Sequence, residues 1–222
     1  MRAAISLLLA AATAAVTATP TAHADTNRDE LWIGGGARAL RSSSANALTG
    51  DNLAGTSFGL ARDLDIALVP KLAVWAEAGM TTGDASGTMF QTLSTEINAL
   101  GLTGGLRARY QLHRLIAASA RLDLGAQRAS LAISDRAGGS ASDHGWGAMA
   151  QGSAALDLFA VARSPFGIGL RAELGYVMAQ AISLTAHRDV TSDTLMLPMT
   201  EVGLGHLDLS GPTFALSLVG QF

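Results

Sequence analysis

Leu100-Gly101-Leu102-Thr103-Gly104-Gly105-Leu106-Arg107-Ala108-Arg109-Tyr110 puts Leu100, Leu102, Gly104, Leu106, Ala108 and Tyr110 on one parity, and Gly101, Thr103, Gly105, Arg107 and Arg109 on the other. A period of two is that of a strand whose side chains point alternately to opposite faces, so the stretch predicts a β-strand with one apolar and one polar face. The pattern returns where Ala118, Ala120, Leu122, Leu124 and Ala126 oppose Ser119, Arg121, Asp123, Gly125 and Gln127. It returns again where Ile168, Leu170, Ala172, Leu174, Tyr176 and Met178 oppose Gly169, Arg171, Glu173, Gly175 and Val177. The chain ends in the same way, with Phe214, Leu216, Leu218, Gly220 and Phe222 against Thr213, Ala215, Ser217, Val219 and Gln221.

Weaker alternating segments near Glu30–Arg41, Thr56–Leu68, Leu72–Thr82 and Trp146–Ala162 bring the expected count to eight strands. The connections alternate in length. Those around Val69-Pro70-Lys71, Gln111–Arg114 and Arg163–Phe166 are short, whereas Ser42–Gly55, Thr82–Thr95, Ser134–Gly145 and Ala181–Gly205 read as long polar loops. Each strand after a short turn repeats one pattern: Trp75-x-Glu77-x-Gly79, Arg121-x-Asp123-x-Gly125 and Arg171-x-Glu173-x-Gly175. Two-residue steps keep each copy on one face, so three strands direct an acid the same way beside small residues. A hairpin repeat with short turns on one side and long loops on the other predicts an all-β fold, an eight-stranded antiparallel up-and-down transmembrane β-barrel.

A soluble secreted barrel would alternate too. The membrane reading is favoured because the charged parity also collects Gly, Ala and Ser, as arginines and acids require inside a narrow lumen. Tyr110, Phe166 and Phe222 near the short turns, and Trp146 at a long-loop end, suit two interfacial girdles, although aromatics make up only 5% of the chain.

Of the 222 residues 49% are hydrophobic, yet no apolar stretch of helix-spanning length follows Ala24. At the start, Arg2 precedes an apolar run from Ala3 to Ala18, and the segment closes on Ala22-His23-Ala24. This is the pattern of a secretory signal peptide with small residues at Ala22 and Ala24, so residues 1–24 are expected to be removed and residues 25–222 to form the barrel. The destination expected is the bacterial outer membrane. The absence of cysteine excludes disulfide staples and thiolate metal sites. A net charge of -3, with Lys71 the only lysine, leaves no electrostatic footprint for nucleic acid.

The segments and the ending Phe214-Ala215-Leu216-Ser217-Leu218-Val219-Gly220-Gln221-Phe222 resemble the OmpA-like family of small outer-membrane barrels. The resemblance implies that Phe222 is the signal read by the outer-membrane assembly machinery. It also implies outer-membrane lipid and lipopolysaccharide as surroundings. Because the sequence stops at Phe222, no peptidoglycan-binding domain is expected.

The inward parity carries Arg38, Glu77, Arg107, Arg109, Arg121, Asp123, Asp157, Arg171 and Glu173, which must pair in so narrow a space. Arg107 or Arg109 on the fourth strand, and Asp157 on the sixth, are the expected partners for the repeated acids and for Arg121 and Arg171, two residues before Asp123 and Glu173. The leading expectation is a structural or surface-interaction barrel plugged by this charge network. A narrow ion or small-solute channel is the alternative, and a lipid-modifying outer-membrane enzyme is a third. For the enzyme, Ser142, Asp143 and His144 share one expected loop, and His187, Asp189 and Asp193 another. His113 is placed in a short turn and His206 at the start of the last strand. None lies in a recognisable catalytic motif, no ligand spacing supports calcium at Asp189 and Asp193, and no cofactor is expected. The oligomeric state is left open.

Overall fold

The computed structural model describes residues 29–50, 52–66, 69–89, 93–135, 140–162, 166–187 and 201–222. The proposed signal segment with Ala22 and Ala24, the turn at 163–165, and Asp189 and Asp193 lie outside the described residues. The elements run β1 (Asp29–Ala39), α1 (Ser43–Thr49), β2 (Asn52–Asp63), β3 (Leu72–Met89), β4 (Leu93–His113) and β5 (Ile116–Asp135). They continue with β6 (Ser140–Ala162), β7 (Gly167–Ala179), β8 (Ile182–His187), β9 (Glu201–Leu207) and β10 (Gly211–Gln221).

Eight strands close a ring of antiparallel pairs in the order β1-β2-β3-β4-β5-β6-β7-β10, with β10 pairing back onto β1. The closing seam runs from Glu30 opposite Gln221 to Arg38 opposite Thr213. Beyond it the amides of Asp29 and Phe222 donate to each other's carbonyls, at 2.9 and 3.0 Å. Closure leaves no unpaired edge, which a barrel spanning a lipid layer requires.

The strand ends differ from the alternation reading. The second strand begins at Asn52 and stops at Asp63 rather than near Leu68. The expected loop Ser42–Gly55 holds α1, capped where Ser42 Oγ accepts from the Ala45 amide and ended by Gly50 at φ 67°. The expected loops Thr82–Thr95 and Ser134–Gly145 are mostly strand. Trp146 therefore lies inside β6, although its side chain faces outward. Within the expected loop Ala181–Gly205, Ile182–His187 and the start of Glu201–Leu207 form the β8–β9 hairpin, and Ser142 pairs with His187 to join it to β6. His206 sits on that hairpin and not on the last strand.

The reason is an inversion of the hydrophobic phase. In the lower part of the barrel the outward face is apolar, with Leu122 and Leu124 each 65% exposed and Ile33, Leu106, Leu170 and Leu216 in the same band. Higher up, the inward side chains become apolar (Ala85, Ile97, Ala129 and Leu131) while Ser86, Ser94, Glu96 and Asn98 point out. On β4 the switch falls between Asn98 and Leu102. Below it the outside matches lipid; above it the outside matches water and the interior becomes an ordinary apolar core.

That boundary is testable by urea unfolding in lipid vesicles. Leu122→Arg and Leu170→Arg should each lower stability by about 2–4 kcal/mol, the scale for a charge near the bilayer midplane. Ser94→Arg, outward but above the switch, should stay within about 0.5 kcal/mol of the parent. Equal losses at all three positions would refute the assignment of the band to lipid.

Candidate functional site

The lumen is layered along the barrel axis. At the short-turn end Trp32, Ala61, Trp75, Phe159 and Val219 form a buried cluster. At the other end Leu40, Ala45, Ile97, Leu131, Leu184 and Leu209 are members of a second, drawn from strand extensions, α1 and the β8–β9 hairpin. The charges begin at the level of the first cluster, with Glu30 opposite Ala61 and Arg107 opposite Trp75, and continue toward the second.

Glu30, fully buried at the start of β1, is the hub. Its Oε1 accepts from Arg107 Nη1 at 2.5 Å and from Arg171 Nη2 at 2.7 Å. Its Oε2 accepts from Gln221 Nε2 at 3.1 Å and Arg109 Nη1 at 3.5 Å. Asp157 grips Arg171 through both oxygens, at 2.6 Å from Nε and 3.0 Å from Nη2, and lies 3.6 Å from Arg109 Nε. Above this group Arg121 pairs with Glu77 and Asp123 through its Nε, and reaches Glu173 through Nη1 at 3.4 Å. Arg107 joins the two groups, since its other terminal nitrogen pairs with Glu77.

Indole and phenyl rings complete the packing. Arg107 and Arg121 lie 5.1 and 5.6 Å from the Trp32 ring centroid, while Arg109 stands 4.8 Å from Phe159 and 5.8 Å from Trp75. Within about 6 Å a guanidinium is attracted to the negative ring face, so these rings stabilise cations that water does not reach.

The nine charged residues assigned inward by alternation are buried, Arg121 with 9% of its side chain exposed, and their pairing differs from expectation in two respects. Asp123 takes Arg121 of its own strand, not Arg107 or Arg109. Strands three and five interact directly across the barrel wall between them, because the register places Gly105 of β4 between Glu77 and Asp123. With no side chain at Gly105, Arg121 reaches Glu77; a Cβ there would meet the Asp123 carboxylate. Nor do the three repeated acids share one row. The row through Asp123 and Gln151 meets Val177 rather than Glu173. Arg38 stands apart, donating from Nη1 to Gln127 Oε1 at 2.8 Å and to the Leu209 carbonyl at 3.1 Å, with no ion pair among the described residues.

Glu30 itself escaped the sequence reading. Its signal was present: Glu30, Trp32, Gly34, Gly36 and Arg38 share one parity, and Arg38 had been assigned inward.

No family model matches the sequence, and no curated protein matches it. Among solved structures the chain is similar to Ail, the attachment invasion locus protein of Yersinia pestis, at 12% identity over 88% of this chain and 99% of that one, with a TM-score of 0.48. It is similar to the Neisserial surface protein A at 8% identity, over 88% and 95% of the two chains, TM-score 0.46. It is also similar to the outer-membrane protease OmpT from Escherichia coli at 7% identity, over 91% and 98%, TM-score 0.39. The barrel assignment itself rests on the closed ring of strand pairs.

Among the described residues considered for catalysis, Ser142, Asp143, His144, His113 and His206 have these settings. Ser142, Asp143 and His144 are consecutive on β6, so Asp143 faces away from its two neighbours. Its carboxylate accepts from the backbone amides of His144 and Thr185, at 2.7 and 2.6 Å, and so fastens the hairpin. His206 Nδ1 lies 3.0 Å from Ser183 Oγ as an exposed cross-strand pair, while the nearby Asp208 carboxylate is engaged by Ser210. His113 ends β4 in an exposed position beside the short turn.

The hub makes a clear energetic prediction. Glu30→Gln leaves three arginines short of one carboxylate, and removing one partner of a buried pair typically costs about 3–5 kcal/mol. Adding Arg107→Met should recover a substantial part of the loss, measured as the coupling in a urea-unfolding cycle. Strictly additive losses would show that Glu30 and Arg107 do not share a network.

Proposed function

We propose that the protein is a non-enzymatic outer-membrane barrel with a structural or surface-interaction role, its lumen plugged by the charge network. The observation that carries this reading is the ion-paired network that packs the lower lumen. Five acids and four arginines are linked by ion pairs among the rings of the lower apolar cluster and below the upper one. Eight strands enclose a space that side chains fill, and here the side chains hold one another in place. The outward apolar band supports residence in a lipid bilayer. The surface offered to partners is then the rim built by α1, the strand extensions and the β8–β9 hairpin.

Export through removal of residues 1–24 belongs to the same proposal, as do outer-membrane lipid and lipopolysaccharide as surroundings. So does recognition of Phe222 by the outer-membrane assembly machinery. Phe222 is half exposed and adjoins the closing seam, where it contributes backbone hydrogen bonds but no lumen side chain.

Planar-bilayer recording of the refolded protein tests the plug. The parent should show no sustained conductance. The double variant Glu30→Ala, Arg107→Ala, which empties the middle of the network, should show brief or steady openings if it remains folded. Steady conductance of the parent would overturn the plugged reading in favour of a narrow channel. Separately, deleting Phe222 should reduce the amount of folded barrel recovered from the outer-membrane fraction, and unchanged recovery would remove its proposed role in assembly.

A further inference from the structure

Arg38 is the exception in an interior where every other arginine faces carboxylates. It is 8% exposed, has no ion pair among the described residues, and its Nε–H meets no acceptor. An unpaired buried cation is costly, so a compensating charge is to be expected beside it. Gln127, 2% exposed, adds a second unmet donor. Its Oε1 is committed to Arg38, which fixes the orientation of the amide and leaves Nε2 without an acceptor. Both residues line a cavity of about 90 Å³, together with Trp32, Gln151, Thr213 and Ser217. Two buried donors, one of them on a full positive charge, therefore border an empty space and lack an acceptor.

We propose that the barrel holds a small monovalent inorganic anion, of the halide class, between Arg38 and Gln127. Charge and size select this class. Arg121 and Glu173 also line the cavity and pair with each other, so one uncompensated positive charge remains. A single negative charge neutralises it, whereas a doubly charged phosphate would leave an excess of negative charge close to Glu173. A monatomic anion accepts hydrogen bonds from any direction, which suits donors arriving from β1 and β5. The Thr213 and Ser217 hydroxyls at the cavity wall are further donors within the same lining. The site is independent of whether the lumen conducts, since it concerns occupancy and not passage.

The test uses the barrel refolded and crystallised with bromide as the only halide. Anomalous scattering should place bromide against Arg38 and Gln127. In solution, at constant ionic strength, replacing gluconate by chloride should stabilise the parent. At ten times the dissociation constant the folding equilibrium rises about elevenfold. Arg38→Gln should abolish that dependence. Should it fail to fold, Gln127→Glu serves in its place, because a carboxylate there supplies the missing charge and removes the need for the ion. An interior without bromide, or a chloride effect that persists in either folded variant, would overturn the proposal and leave water as the occupant of the cavity.

Discussion

A charge inside an eight-stranded barrel has almost no water to solvate it, and that constraint governs the rest of the structure. Arg171 and Arg107 are each 1% exposed, as buried as much of the apolar core. Each is tolerable only because a carboxylate stands where its guanidinium ends: Asp157 across one rung of the ladder, and Glu30 from the far side of the lumen. Such pairs add little net stability compared with well-packed apolar residues, but a broken pair is severely destabilising. The network therefore acts chiefly on specificity. A one-residue shift of any strand that carries these charges would turn its charges outward into lipid, so the interior penalises such slips.

The same demand explains where the small residues stand. Four arginine side chains and five acids occupy the same levels as Trp32, Trp75 and Phe159, so neighbouring positions must be vacant for them to reach one another. Gly105 between Glu77 and Asp123 is the clearest instance, converting what would be a separating strand into a window. The glycine content of the strands, unfavourable for strand propensity in itself, is thus the geometric complement of the arginines.

Strand identity and facing were legible in the sequence wherever lipid lay outside, because Leu and Ile on one parity and Arg, Asp or Ser on the other give an unmixed alternation. Leu100–Tyr110 is such a stretch, and the nine charges placed inward from it and its counterparts are all buried. The upper halves of β3 to β6 were not legible. Through Thr95, Ile97 and Leu131 the apolar residues change parity, and Ser, Thr and Gly on the outer face imitate a loop. Two opposed phases in one strand cancel any pattern read across both. Individual pairings were illegible for another reason: long arginine side chains choose partners through three-dimensional gaps, and a two-residue period records only the face. Glu30 lies at the start of its strand, where the parity shared with Trp32, Gly34, Gly36 and Arg38 mixes a ring and glycines with the charges and gives no unmixed alternation.

The inversion of phase also divides the molecule by the freedom its residues possess. Below the switch, an inward substitution must be matched by a partner and an outward one by lipid. Above it, the β8–β9 hairpin turns Ile182, Leu184 and Leu207 into the mouth and keeps Ser183 and His206 exposed. Its attachment is local: Thr185 donates to Asp143 at 2.6 Å, while the hydroxyl of Ser210, just before β10, accepts from the Ala179 amide at 2.9 Å and donates to its carbonyl at 3.3 Å. An element anchored by one apolar face, with its other face in water and no share in the charge network, can change its outer residues without disturbing the barrel. The interior fixes which fold is made, and the rim is where contact with other molecules is decided.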